Sequence, residues 1–272
     1  MTRAFGVDVS HFQNTTAPAG VSWTTIGQKS SFAIVRATYG TSKDASAVAH
    51  VKNARAAGLQ VGLYHFFRST QSVADQLDAF CAQAIACGVG MGDIAPALDV
   101  EDDLTAKLDP SWETGISALT DGLLTEFGEC MIYITQRDFG RLGKPAWILD
   151  RPLWVAHYTQ AAKPATPGNK PCAIWQRTVG PYNPGGPGGA IKPMLLDQNV
   201  ADGPLPLAKT SPTETVAPIA PDAPPTQPAM VVMRLEEQAR NDARWNDLTI
   251  KLREGLDLSH RDDDDEPTEN NS

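Results

Sequence analysis

The chain has 272 residues, 42% hydrophobic and 20% charged, with a formal net charge of −9. That is the composition of a globular protein able to bury one large core or two smaller ones. Residues 1–203 carry 16 basic and 18 acidic side chains, whereas residues 204–272 carry 7 and 14. The body of the chain is therefore nearly neutral, which excludes the basic surface that a nucleic acid partner requires.

No run approaches the roughly 18 apolar residues of a membrane span. The opening Met1-Thr2-Arg3-Ala4-Phe5-Gly6-Val7-Asp8 has no long apolar stretch, so no secretory signal peptide is expected. Cys81, Cys87, Cys130 and Cys172 lack the spacing of a metal site and are expected as free thiols of a reducing compartment. No metal and no cofactor is expected.

Apolar runs at 4–9, 32–37, 61–67, 94–100, 130–135, 153–157, 173–178 and 194–200 read as strands. Helical patterning falls between the first five, at about 22–28, 45–57, 71–87 and 110–127. Gly58 and Gly88 stand where helix C-caps belong. Alternation of this kind, with nearly continuous apolar strands, predicts a parallel α/β sheet closed into a TIM-like barrel whose last three connections are short. Residues 204–228 are rich in proline and read as an extended linker. Residues 229–258 then place Leu235, Ala239, Trp245, Leu248, Leu252 and Leu256 near one face of an amphipathic helix, expected to dock or self-associate. Residues 259–272 form an acidic, disordered tail in this reading.

Chemistry concentrates in Leu98-Asp99-Val100-Glu101-Asp102. In a strand, residues two apart face the same side, so Asp99 and Glu101 project together with Cα atoms roughly 6.6 Å apart. Two carboxyl groups at that range favour one protonated and one ionised, the pair that glycosidic cleavage uses. In a parallel barrel, polar residues at strand ends share one mouth. Asp8, Tyr64, Tyr133, Trp154, His157, Gln176 and Asp197 all close apolar runs in this way. Aromatic rings with acids and amides suit a sugar, although Asp8 and Asp197 could also cap turns and the rings could be core. His50 is expected on a helix surface, and neither His65 nor His157 has base–nucleophile spacing to a Ser or Cys.

The opening Gly6-Val7-Asp8-Val9-Ser10-His11-Phe12-Gln13 resembles the D-x-S-x-x-Q start of the glycoside hydrolase family 25 lysozymes. Phe32 to Thr38 with Gly40 to Asp44, Asn53 to Leu59 with Gly62 to Phe66, and Leu98 to Glu101 are similar to later stretches of that family, in its order. Leu153 to Tyr158, Ile174-Trp175-Gln176 and Leu196 to Asn199 complete a resemblance that covers about 1–203.

The resemblance implies a (β/α)5(β)3 barrel that hydrolyses the β-1,4 bond between N-acetylmuramic acid and N-acetylglucosamine in peptidoglycan. It implies Glu101 as general acid/base, and Asp99 as the group that polarises the acetamido function or stabilises the oxocarbenium-like transition state. Asp8, Asp197 and Tyr64 would complete the cleft, and Tyr133, Trp154 and Gln176 would line it. A phage lysin or virion-associated lysin fits the missing signal peptide, acting from the host cytoplasm after release or from the particle. Its alternatives are a non-catalytic wall-glycan-binding or structural virion barrel, and a hydrolase of another N-acetylated glycan. Tyr39, where many relatives carry a small polar or acidic residue, Asp102 and the loop Pro181 to Gly189 depart from the family pattern.

Overall fold

Strand parity sorts the side chains into two cores. Along β2 (Phe32–Tyr39), Ala33 and Val35 face outward with Val7, Val61, Leu63, Leu98, Ile132 and Val155. The intervening Phe32 and Ile34 face inward with Ala97, Met131, Tyr133, Trp154 and Ile174. Both sets are apolar because both faces of the sheet are covered, one by helices and one by the sheet's own far side. In this computed structural model, residues 3–13, 21–101, 111–181 and 195–213 are described.

The elements run β1 (Ala4–Val9), α1 (Trp23–Gly27), β2, β3 (Ser42–Lys43), α2 (Ala47–Ala56), β4 (Gln60–Phe66), α3 (Val73–Cys87), β5 (Ala97–Asp99) and α4 (Ser111–Phe127). They continue with β6 (Met131–Ile134), α5 (Gln136–Arg141), β7 (Leu153–Ala156), β8 (Ile174–Pro181) and β9 (Leu195–Ala201). The strand order is β1-β9-β8-β7-β6-β5-β4-β2-β3, and a β1–β2 pairing closes eight strands into the barrel, with β3 lying outside it on β2. This is the expected (β/α)5(β)3 barrel. Among the described strands, only β9 runs antiparallel to both of its neighbours.

Local chemistry sets the helix ends. The Ser72 hydroxyl accepts from Asp75 N at the start of α3, and Gly88, at φ 63°, ends it in the left-handed conformation. Thr135 caps α5 in the same way, accepting from Asp138 N. That helix and β3 were not among the expected elements, because six residues and two residues are too short to show a period.

Three expectations change. The run 94–100 forms ladder only over Ala97–Asp99, since Pro96 has no N–H to donate; Ile94 instead bridges to Leu207. Residues 204–213 do not leave the barrel as linker. Leu205 joins the inner core, Ala208 is buried in the outer one, and Ala95 N donates to Pro206 O, Gly92 N to Ala208 O and Lys209 N to Phe127 O. Proline stiffness here makes a strap rather than a spacer. His50 is fully buried, not on a surface: it packs edge-on to Trp23 at 5.7 Å between ring centroids and donates from Nε2 to Ser10 O at 3.2 Å. The remaining linker, the helix 229–258 and the acidic tail lie outside the described residues, as do Asp102 and most of the loop Pro181 to Gly189. The four cysteines are free thiols.

Candidate active site

The inward row changes character at the carboxyl end of the barrel, where the closed sheet no longer has to be filled. Parity puts Asp8 above Gly6, Asp99 above Ala97, Gln176 above Ile174 and Tyr64 above Gly62. Outward Leu98 and Val100 flank Asp99 and fix its direction, and Val100 N donates to Tyr133 O, carrying the extended path on toward Glu101. Asp197 arrives from the other direction. It lies near the start of β9, not the end of a parallel strand, and pairs with Asp8 in antiparallel register. Asp8, Asp99, Glu101 and Asp197 thus belong to one mouth.

A hydrogen-bond chain organises them. Asp8 Oδ2 accepts from Gln176 Nε2 at 3.0 Å and from Asn199 Nδ2 at 2.7 Å. Gln176 Oε1 accepts from the hydroxyls of Tyr133, 2.9 Å, and Tyr158, 2.8 Å. Trp154 Nε1 donates to Asn199 Oδ1 at 2.8 Å. Gln176 and Trp154, expected as sugar contacts, are 3% and 1% exposed. Their polar atoms are committed inward, so they hold the carboxylates and form the floor, while the half-buried Tyr64 packs edge-on to Trp154 at 6.0 Å. Asn199 and Tyr158 are members of this cluster absent from the expected set. Tyr158 had a legible signal: it is a large apolar ring immediately beyond a strand, and it is 52% exposed at the mouth.

The electrostatics separate the acids. Burial raises the Glu101 carboxyl, the carboxylates of Asp138 and Asp8 raise it further, and a hydrogen bond with Tyr133 pulls it back, leaving it at about 8. Burial raises Asp8 to about 6 against the donors Gln176 and Asn199. Asp197 lies well above the usual carboxylate range, from burial first and then from Asp8 and Glu101. Facing carboxyl groups in low dielectric cannot all ionise. Glu101 is therefore protonated at neutral pH, beside negative charge, which is the division of labour between an acid and an electrostatic partner. Asp138, the third missed residue, is buried at the first turn of α5. Among the described residues no group of three His, Cys, Asp or Glu side chains could hold a metal ion.

A model of the glycosyl hydrolases family 25 matches residues 7–185. A bacterial lysozyme from Streptomyces coelicolor is similar at 27% identity, covering 74% of this chain and 92% of its own, with a TM-score of 0.61. A family 25 glycosyl hydrolase from Bacillus anthracis is 23% identical, covering 74% and 89%, with a TM-score of 0.61. The catalytic domain of an endolysin from a bacteriophage of Listeria monocytogenes shares the fold at 20% identity, covering 74% and 93%, with a TM-score of 0.55. No curated protein matches the chain. With a protonated glutamate among carboxylates at the mouth of this barrel, and with the family model spanning most of it, the chain belongs to family 25 of the glycosyl hydrolases and is a glycoside hydrolase of the lysozyme type.

Proposed function

We propose that the chain cleaves the β-1,4 bond between N-acetylmuramic acid and N-acetylglucosamine, with Glu101 as the proton donor to the leaving oxygen. The observation that carries this is the Glu101 carboxyl held protonated to about pH 8 in a mouth of carboxylates. Asp99, 4% exposed, supplies negative charge where positive charge develops, against the sugar ring or its acetamido group. Asp8 and Asp197 shape the charge of the pit, Tyr64 lines it, and Tyr133, Gln176 and Trp154 hold its groups in place. After the glycosyl bond breaks, Glu101 takes a proton back from the attacking water.

The biological reading is a phage lysin, free or carried in the virion, that reaches peptidoglycan from the host cytoplasm or from the particle. The likeness to an endolysin domain supports it at the level of fold. In this reading the segment 229–258 docks the enzyme onto a second copy or a virion protein, and Trp245→Ala with Leu252→Ala weakens that association, read by light scattering. Mass spectrometry of digested peptidoglycan tests the reaction itself. New reducing-end muramic acid is expected; reducing-end glucosamine, or no cleavage, overturns it.

A further inference from the structure

The register of β2 against β4 slips between Arg36 and Thr38, leaving Ala37 as an extra residue. A bulge of this kind reverses the side-chain parity beyond it. Arg36 faces inward, Thr38 turns outward to hydrogen-bond His65 Nδ1 at 2.6 Å, and Tyr39 comes back to the inner face. There Tyr39 stacks on Phe66, with ring centroids 4.7 Å apart and planes at 25°. The Arg68 guanidinium lies 4.9 Å from the Tyr39 ring centre and donates to its hydroxyl.

The arrangement is fixed from below. Tyr39 opens the β2–β3 hairpin, whose Gly40 has φ +54° and donates to Phe66 O at 2.9 Å. Thr41 N donates to Gln71 Oε1 at 2.7 Å, and a Cβ on Gly40 would meet that oxygen at 2.0 Å. The bulge, the hairpin outside the barrel and the buried turn together hold two half-buried rings and a guanidinium at the rim.

This rim is continuous with the pit. Tyr39 pairs with Phe66 and Phe66 with Asp99, one strand per step. Adjacent strands are about 4.8 Å apart, so Phe66 and Tyr39 stand one and two strand spacings from Asp99, within reach of a sugar next to the one that the carboxylates engage. We propose that Tyr39, Phe66 and Arg68 form a distal subsite for a further N-acetylhexosamine of the same glycan strand. Ring C–H groups of the sugar lie against the aromatic pair, and the Arg68 guanidinium holds the Tyr39 ring in place. The assignment rests on the muramidase reading and extends it to a preference for longer chains.

Glycan fragments of defined length test it, with kcat and KM measured separately for a disaccharide and a tetrasaccharide. Tyr39→Ala is expected to raise KM about tenfold for the tetrasaccharide, which is about 1.4 kcal/mol, with kcat unchanged and the disaccharide unaffected. Tyr39→Phe, which keeps the ring, retains the length preference, and Phe66→Leu loses part of it. A Tyr39→Ala effect equal at both lengths, or absent from both, overturns the subsite while leaving the muramidase reading intact. A wild type inert on both lengths overturns that reading instead.

Discussion

The two ends of the barrel interior are built from the same alternation on the same strands, yet they have opposite chemistry. At the lower end, Phe32, Ile34, Ala97, Met131 and Ile174 fill the closed sheet and leave nothing polar to satisfy. One inward step higher, Asp8, Asp99, Glu101 and Asp197 crowd acids together, with Glu101 raised to about 8 and Asp8 to about 6. The lower end stabilises the fold without touching substrate. The upper end costs stability to keep an acid protonated, a trade that active sites make at the expense of the fold.

Substitutions at the two ends should therefore separate activity from stability. Glu101→Gln keeps shape but removes the proton, and kcat on soluble glycan is expected to drop by about 10²–10⁴; a folded variant within threefold of wild type removes Glu101 from its role. Asp99→Asn is expected to lose about 10²–10³ for want of negative charge near the developing cation. At the other end Phe32→Ala is expected to cost about 3–5 kcal/mol in urea unfolding while the remaining folded enzyme turns over normally. A kinetic defect in Phe32→Ala that outlasts correction for the folded fraction would show that the two ends are not separable.

Acidity sharpens the same contrast. Glu101 donates only while protonated, so kcat/KM is expected to fall as pH rises through about 8, measured across a profile on a soluble substrate. Stability moves in the same direction. Glu101 binds its proton more tightly in the folded chain than at its ordinary value of 4.5, so folding loses free energy as pH climbs from about 4.5 to about 8. Glu101→Gln lacks that loss, and its melting temperature should overtake wild type progressively across this window, the smaller of the two pH effects. Equal slopes for both proteins would mean that Glu101 is not buried among charges.

The strap yields a break in stability alone. Ending the chain at Gly203 removes the bonds that Pro206, Ala208 and Lys209 make with residues 92–95 and Phe127, each worth about 0.5–1.5 kcal/mol. A chain ending at Thr213 keeps them. Thermal melts of the two truncations should place the shorter below the longer, with activity on soluble glycan similar in both.

Much of this was legible in the sequence because it depends on period and on short spacings. Apolar runs separated by helical patterning gave the strands within a few residues, and they put Asp8 and Asp99 at strand ends. What escaped lacked a local signal. Two residues of β3 and six of α5 are below any period, and His50 looks polar until Trp23 and the Ser10 carbonyl surround it. Gln176 and Trp154 read as sugar contacts because type and strand position cannot distinguish a side chain that meets substrate from one that holds the side chain that does.

By itself, then, the sequence determined the barrel and the strands that bring the acids to one mouth, since alternation and spacing act between neighbours in the chain. Tertiary structure alone decided that Asp197 meets Asp8 from a strand running the opposite way. It also decided that Gln176 and Asn199 clamp Asp8 across 168 and 191 residues, and that Glu101 keeps its proton. Burial and charge–charge repulsion are set by what surrounds a group in space, and that is fixed only when the barrel closes.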